Sequence, residues 1–305
     1  MEKFSNKIII VAGPTAVGKT AVAIEVAKKL GAVILSADSR QCYKELNIGV
    51  ARPSTSELAE VPHFFIASHS IHEKIDAAFY EKFALDLLQK LFKEHGTVVV
   101  TGGTGLYIKA LVEGLDEIPE IPIETREAII KNYAGGGIEW LRQQLNLKDP
   151  QFASQGEMQN PQRMMRALEV AEATGRSVIS FRSGAKVKRD FEIFQAGLEL
   201  PREHLNLRIN QRVDAMIDAG LEKEATELLD YRSLNALQTV GYKEMFDFFD
   251  GKISGPEAHA LIKQNTRRYA KRQMTWFKKQ REIIWFDAFQ NNAETLAESI
   301  LTVAG

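Results

Sequence analysis

The first hundred residues alternate short apolar runs with amphipathic stretches. Residues 7–12 form a β-branched run typical of a buried strand, and residues 20–30 follow with apolar side chains at helical spacing. Further apolar runs cover residues 32–36 and 97–101, and the stretch at 77–94 between them is amphipathic. Strands that alternate with helices in this way predict a parallel α/β sheet.

The pattern changes at Pro119 and Pro122. Residues 124 to about 182 show only helical spacing, whereas residues 191–200 form a β-like run that can return to the sheet, and residues 283–286 resemble a last strand. The region between the first sheet strands and this return is therefore expected to be an all-helical insertion. The predicted domains are an α/β core at residues 1–117 and 190–305 and a helical insertion domain at residues 118–189.

A phosphate-binding motif follows the first predicted strand. Residues 13–20 read GPTAVGKT and match G-x-x-x-x-G-K-[ST] at the start of a predicted helix. The two glycines allow a turn that points successive N–H groups inward, and Lys19 adds a cation, so the motif predicts a site for a di- or triphosphate and a P-loop parallel-sheet core. The Thr20 hydroxyl is expected to hold Mg²⁺. The predicted diphosphate-binding residues of this loop are Gly13, Pro14, Thr15, Ala16, Val17, Gly18, Lys19 and Thr20.

Polar residues also follow the second predicted strand. Asp38 lies in the segment SADSRQ, at the edge where an open α/β sheet places its ligands, and is a candidate general base or metal ligand. Ser39 and Gln41 are candidates for hydrogen bonds. Asp38 could equally cap a short helix. After the third strand, the three glycines of TGGTGLY, residues 101–107, let the backbone approach a ligand or the first loop.

Composition narrows the possible partners. Lys and Arg number 39 and Asp and Glu number 40, so a nucleic-acid partner would need local clusters of basic residues. The single cysteine, Cys42, cannot form an internal disulfide, and no apolar run approaches the roughly 18 residues of a membrane helix. We therefore expect a cytoplasmic protein with no membrane partner.

Basic residues do cluster locally. Residues 263–281 hold eight Lys and Arg, no Asp or Glu, and aromatic residues between them, which suits a phosphate backbone with unstacked bases. Alternatively, these charges form a solvated face, and the core stripe consists of Tyr269, Gln273, Trp276 and Phe277. Two arginine pairs at helical spacing, Arg163 with Arg166 and Arg208 with Arg212, could bind phosphate or form surface salt bridges.

Seven segments in order resemble the tRNA dimethylallyltransferases, also called tRNA isopentenyltransferases. The resemblance is to the bacterial, minimal form, without the Cys/His finger that some eukaryotic members append. The segments are GPTAVGKT, SADSRQ, NIGVARP (residues 47–53), VTGGTGLY, PQRMMRALEV (161–170), TVGYKE (239–244) and TRRYAKRQMTWF (266–277).

The resemblance implies a reaction and roles for particular residues. The enzyme would transfer a dimethylallyl group from dimethylallyl diphosphate to N6 of the adenosine 3′ of the anticodon in tRNA, releasing diphosphate, and would act as a monomer whose insertion grips the anticodon stem-loop. The implied catalytic residues are Asp38, Lys19 and Thr20, with Mg²⁺ on Thr20 and with Arg208 and Arg212 as further candidates for the diphosphate. The implied tRNA-binding residues are Asp38, Ser39, Arg40, Gln41, Thr104, Arg126, Gln162, Arg163, Met164, Met165 and Arg166.

Two other functions compete with this interpretation. A P-loop small-molecule kinase would bind ATP at the same loop and use the insertion, with Arg163 and Arg166, as a lid. The basic and aromatic segment at 263–281 argues against it, because such a kinase has no need for one. A non-catalytic RNA-binding protein would leave the complete phosphate-binding motif without a purpose.

Overall fold

The computed structural model describes residues 6–305 as a parallel sheet surrounded by helices. All paired strands run parallel, in the order β3-β2-β4-β1-β5-β6, which confirms the predicted α/β fold class. The strands are β1 (Lys7–Ala12), β2 (Val33–Ser36), β3 (His63–Phe64), β4 (Thr97–Gly102), β5 (Glu192–Glu199) and β6 (Ile284–Asp287).

Twelve α-helices occur in the described part of the chain. None of these helices is both long and apolar enough to cross a membrane. They are α1 (Lys19–Leu30), α2 (Thr55–Glu60), α3 (Ala77–Leu91), α4 (Gly105–Glu113), α5 (Ile123–Lys148), α6 (Pro150–Gln155), α7 (Pro161–Thr174), α8 (Arg202–Asp218), α9 (Leu221–Glu227), α10 (Tyr242–Phe249), α11 (Gly255–Phe277) and α12 (Ala293–Ala304).

The central strand β1 explains the uninterrupted apolar run near the start of the chain. It pairs with β4 on one side and β5 on the other, and the side chains of Ile8 and Ile10 are fully buried. A parallel strand covered on both faces needs apolar residues at successive positions rather than at alternate ones. α1 then packs on the sheet and ends at Gly31, which adopts the left-handed conformation (φ +58°) that favours glycine.

The described chain divides into two compact units. The core unit runs up to Val112 and resumes at Lys188–Gly305, and Glu113–Val187 form the second unit, called the insertion below; the predicted insertion was 118–189. The insertion contains α5, α6 and α7 around its own apolar core. α5 contains a kink at Gly137 (φ +62°, ψ −161°), the last of three consecutive glycines.

Candidate active site

Three loops meet where β1, β2 and β4 end, because these strands are neighbours in the sheet. The N–H of Ala37 donates to the carbonyl of Thr101 (2.7 Å), and the N–H of Ser39 donates to Oγ1 of Thr104 (3.0 Å). The structure thus brings together the motifs GPTAVGKT, SADSRQ and TGGTG, as expected for loops at the carboxyl edge of an α/β sheet.

The GPTAVGKT loop depends on backbone conformations that few residues adopt. Gly13 and Gly18 have φ values of +150° and +106°, and a Cβ at Gly13 would lie 2.8 Å from the carbonyl oxygen of Leu198 in β5. Gly18 precedes the first turn of α1, where Nζ of Lys19 donates to the carbonyl of Pro14 (2.7 Å). The loop therefore sets a cation beside the N–H groups of a helix N-terminus, an arrangement that favours a phosphate group.

Both arginines of the predicted pair on α8 reach this loop. Nη1 of Arg208 donates to the carbonyl of Val17 (3.2 Å), and Nη2 of Arg212 donates to Oγ1 of Thr15. Nε of Arg212 is buried and has no hydrogen-bond partner among the described residues. Because a buried donor without a partner is costly, this nitrogen favours an anionic ligand.

Burial lowers the pKa values of two cations at the site. Burial and the neighbouring Arg212 lower the pKa of Lys19 to about 8, and the Asp38 carboxylate opposes that shift. Burial also lowers the pKa of Arg212, again opposed by Asp38. A bound diphosphate would offset the repulsion between Arg212 and Lys19, so the electrostatics of the site favour an anion.

We expect diphosphate binding to weaken as pH rises through the Lys19 pKa of about 8. Below that pH, Lys19 carries its charge in the free protein. Above it, binding must recover the proton, so affinity should fall about tenfold per pH unit. Calorimetric titration with dimethylallyl diphosphate measures the slope, and Lys19→Arg should flatten it because guanidinium keeps its charge. A slope that persists in Lys19→Arg would assign the titration to another group.

Asp38 shapes its own loop. Its Oδ1 accepts hydrogen bonds from the N–H groups of Arg40 (2.8 Å) and Gln41 (3.2 Å). Asp38 therefore caps a turn, whereas the predicted alternative was the cap of a short helix. Oδ2 makes no hydrogen bond within residues 6–305. One carboxylate oxygen thus holds the turn and the other remains available to a substrate.

Few side chains near the predicted magnesium site could bind the ion. The described residues contain no cluster of three or more His, Cys, Asp or Glu that could hold a metal ion. The Thr20 hydroxyl lies in the first turn of α1 and has no hydrogen-bond partner among those residues. Since Mg²⁺ is usually held by one or two protein ligands together with substrate phosphates and water, this sparse donor set fits it.

One cavity of about 450 Å³ in the core unit joins these parts. Thr15 and Arg212 line it on the side of the phosphate-binding loop, and Asp38 lines it as well. Apolar side chains from α8, α11 and the segment before α10 complete the wall, namely Val213, Met216, Val240 and Ile262. The cavity therefore offers an anion site, a carboxylate and an apolar surface to one ligand.

Comparison with known proteins decides the family. The family model described as IPP transferase matches residues 41–280. The chain belongs to the IPP transferase family. A protein named tRNA dimethylallyltransferase from Cytophaga hutchinsonii is 48% identical over 93% of this chain and 93% of its own, and one from Christiangramia forsetii is 45% identical over 97% and 98%.

Solved structures of the family agree. The tRNA isopentenylpyrophosphate transferase of Bacillus halodurans superposes with a TM-score of 0.73 at 32% identity, covering 98% of this chain and 96% of that one. A eukaryotic dimethylallyltransferase acting on tRNA shares the fold, with a TM-score of 0.78 at 22% identity over 97% of this chain and 79% of that one. The predicted prenyltransferase family is confirmed, and the kinase alternative is not supported.

Within the insertion, the residues expected from the IPP transferase resemblance separate into two groups. Met164 and Met165 are 0% and 8% exposed and pack in the apolar core of the insertion, and the tRNA-binding role expected of them stays a prediction. Arg163 pairs with Glu157, whereas Gln162 is exposed. The sequence spacing could not separate these roles, because the segment forms one amphipathic helix, α7, with a buried and an exposed face.

Two further arginines of the insertion share a buried partner. Arg126 on α5 and Arg166 on α7 both approach the carboxylate of Glu169, at 3.8 and 3.2 Å. Glu169 is almost completely buried, while both arginine side chains are nearly half exposed. The ion pairs leave part of each guanidinium open to a phosphate, so the predicted role in tRNA binding stays a prediction.

The helix that carries the family motif TRRYAKRQMTWF is partly buried and partly faces the cavity, and its role in nucleic-acid binding stays a prediction. On α11, Lys263 pairs with Asp214 (2.5 Å), and Lys278, directly after α11, pairs with Glu199 (2.6 Å). Gln273 and Phe277 are buried, as the core-stripe interpretation expects. The tyrosine and arginine of this helix that line the cavity, Tyr269 and Arg272, instead face the site.

Sequence reasoning missed the residues that hold the NIGVARP segment of the family. The Glu224 carboxylate on α9 accepts hydrogen bonds from the N–H groups of Ile48 (2.8 Å) and Gly49 (2.9 Å) and from the Tyr242 hydroxyl (2.6 Å). Nε2 of Gln41 donates to the carbonyl of Ala51 (2.9 Å), so Gln41 has a structural partner in the same segment. No local pattern marks Glu224, since its partners lie far away in the chain.

Arg40, another predicted tRNA-binding residue, also has a structural partner. Its Nη1 donates to the carbonyl of Asn235 (2.8 Å). Arg40 lines the cavity beside Ser39. The Thr104 hydroxyl accepts a hydrogen bond from the N–H of Ser39 and donates one to the Ser39 hydroxyl. The structure therefore places all three at or next to the cavity, and a direct contact with tRNA stays a prediction for each.

Proposed function

We propose that the protein transfers the dimethylallyl group of dimethylallyl diphosphate to N6 of the adenosine 3′ of the anticodon in tRNA. The family of the chain and the names of its relatives support this reaction. The observation that carries it is the cavity in which Thr15 and Arg212, beside the phosphate-binding loop, face the same space as the Asp38 carboxylate. Diphosphate departure and amine attack need these two kinds of group side by side.

The reaction breaks the allylic C–O bond and forms a C–N bond. Negative charge grows on the leaving diphosphate, and Lys19, Arg212 and the amides of the GPTAVGKT loop would stabilise it. The N6 amine attacks the allylic carbon and loses a proton, which the Asp38 carboxylate would accept. The products are prenylated adenosine, diphosphate and a proton held by Asp38 until solvent removes it.

Magnesium is part of the proposal. Thr20 would hold it together with diphosphate oxygens, and it would neutralise part of the leaving-group charge. We further propose that the enzyme acts in the cytoplasm as a monomer, since one chain offers the whole cavity and one tRNA is modified at a time. The adenosine must leave its base stack before its amine can reach Asp38.

One assay tests the proposal. Purified protein is incubated with Mg²⁺, labelled dimethylallyl diphosphate and an unmodified tRNA that has adenosine after the anticodon. Label should enter the RNA at that adenosine, and a tRNA with guanosine there is the matched control. Label that stays out of RNA while ATP is consumed in a parallel incubation would favour the kinase instead.

The arginines of α7 give a separate test of tRNA binding by the insertion. Replacing Arg163 and Arg166 by Gln together should weaken tRNA binding and lower the slope of log K against log salt by about 0.7–0.9 for each lost phosphate contact. Lys148→Gln is a suitable control, since Lys148 pairs with Glu172 in the same unit. An unchanged slope in the double variant would show that Glu157 and Glu169 satisfy both arginines.

A further inference from the structure

The side-chain amide of Gln273 connects two of the loops that form the site. Its Oε1 accepts a hydrogen bond from the N–H of Thr15 (2.9 Å), and its Nε2 donates to the carbonyl of Gly103 (2.8 Å). The residue is 6% exposed and does not line the cavity. Both ends of one buried amide are thus used to join the loop after β1 to the loop after β4.

The loop after β4 is shaped to admit this contact. A Cβ at Gly103 would lie 2.2 Å from Nε2 of Gln273, and a Cβ at Gly105 would lie 2.2 Å from the ring of Trp276. A side chain at Gly103 would displace the Gln273 amide, and one at Gly105 would collide with the Trp276 ring. The two glycines therefore support a close approach of α11, beyond any contact with a ligand.

The same face of α11 also reaches the loop that carries Asp38. Tyr269, one turn before Gln273, lines the same cavity as Asp38 and Ser39, and Oγ1 of Thr104 accepts the N–H of Ser39 (3.0 Å). Burial and the nearby Asp38 raise the pKa of Tyr269 to about 12, so its hydroxyl stays protonated at neutral pH. Residues four apart on a helix lie on one face, so the face of α11 that joins the loops after β1 and β4 also borders the cavity beside the Asp38 turn.

We propose that Gln273 is a positioning residue for prenyl transfer. It fixes the backbone of Thr15, and with it the diphosphate-binding loop, at a set distance from the Asp38 turn. This inference rests on the proposed function, because the distance matters only if a leaving diphosphate and a proton acceptor serve one reaction. An error of about 1 Å in such a distance costs on the order of 10²-fold in rate.

Two substitutions separate positioning from general support of the fold. Gln273→Met keeps the volume and removes both hydrogen bonds, and we expect kcat to fall about 10–100-fold while tRNA affinity changes less than about twofold. Gln273→Glu keeps an acceptor for Thr15 but repels the carbonyl of Gly103 when ionised. Burial raises the pKa of such a carboxyl, and its protonated form can donate as the amide does.

The pH profile is therefore the decisive reading. The ratio of Gln273→Glu activity to wild-type activity should rise as pH falls from about 8 to about 5.5. A ratio that stays flat, or a Gln273→Met enzyme with wild-type kcat, would overturn the proposal. Thr275→Ala is the control on the same helix, since it removes only the hydrogen bond from Oγ1 to the carbonyl of Lys271.

A second pair of variants approaches the contact from its other side. Gly103→Ala should displace Gln273 and so remove the same hydrogen bonds as Gln273→Met. The fold-loss of kcat in the double variant should therefore be much smaller than the product of the two single losses. Full additivity would contradict the inference. If the wild-type protein shows no prenyl transfer, that result counts against the proposed function alone. The inference is then tested by the binding of inorganic diphosphate. Gln273→Met should bind it about tenfold more weakly than the wild type, and equal affinity would overturn the inference.

Discussion

Asp38→Asn should slow the chemical step of prenyl transfer by about 10²–10⁴-fold and leave both substrates bound. Asp38→Asn tests proton transfer more specifically than removal of the side chain does. The amide oxygen of Asn can still accept the N–H groups of Arg40 and Gln41 that Oδ1 accepts now, so the turn should survive. What disappears is the capacity to take a proton from the adenosine amine.

Single-turnover rates with saturating substrates measure this step directly. Asp38→Ala should be at least as slow and should also lose the cap of the turn, visible as a lower melting temperature than that of Asp38→Asn. An Asn variant that turns over near the wild-type rate would mean that water or the departing diphosphate takes the proton. Asp38 would then be a residue of the loop structure only.

Lys19→Ala and Thr20→Ala should each reduce prenyl transfer about 10²-fold or more while tRNA affinity changes little. Lys19 supplies charge to the leaving group, and the Thr20 hydroxyl is the proposed magnesium ligand. Lys28→Ala is the matched control, because this lysine lies on the same helix α1 but at the surface, paired with Glu25 and Glu60.

Filter binding with unmodified tRNA supplies the second measurement. Parallel losses of tRNA affinity and of transfer would show that the loop supports the RNA site rather than the leaving group. For Thr20→Ala, raising the Mg²⁺ concentration should recover part of the activity, since a weakened site fills again by mass action. Recovery in Lys19→Ala under the same conditions is not expected.

The sequence was most informative where one residue's neighbours along the chain determine its structure. Local requirements of the backbone explain three features that were predicted. These are the apolar run of β1, the glycines of the GPTAVGKT loop and the polar residues after β2. Motif order then placed their loops at one edge of a parallel sheet. The structure brings these loops together through hydrogen bonds such as that from Ala37 to Thr101.

What the sequence could not show depends on contacts between distant segments. β3 has only two residues, too few for any periodic signal, and is defined by its pairing with β2. Gln273 and Glu224 each act on loops more than one hundred residues away, so a single polar letter in a helix gave no sign of either role. The burial of Met164 could not be predicted either, because an amphipathic motif does not state which face of the helix is buried.

The strand order also fixes when the site can form during synthesis. β1 is synthesised first but lies between β4 and β5. Lys7 can therefore pair with Thr97 only after β4 is synthesised, and with Glu192 only after β5 is synthesised. The entropic cost of loop closure grows slowly with loop length. The insertion Glu113–Val187 therefore adds little to the cost of pairing β1 with β5. The delay comes from the ribosome: a nascent chain carries its phosphate-binding motif long before α8 and α11 emerge. It should therefore acquire diphosphate affinity only when nearly complete.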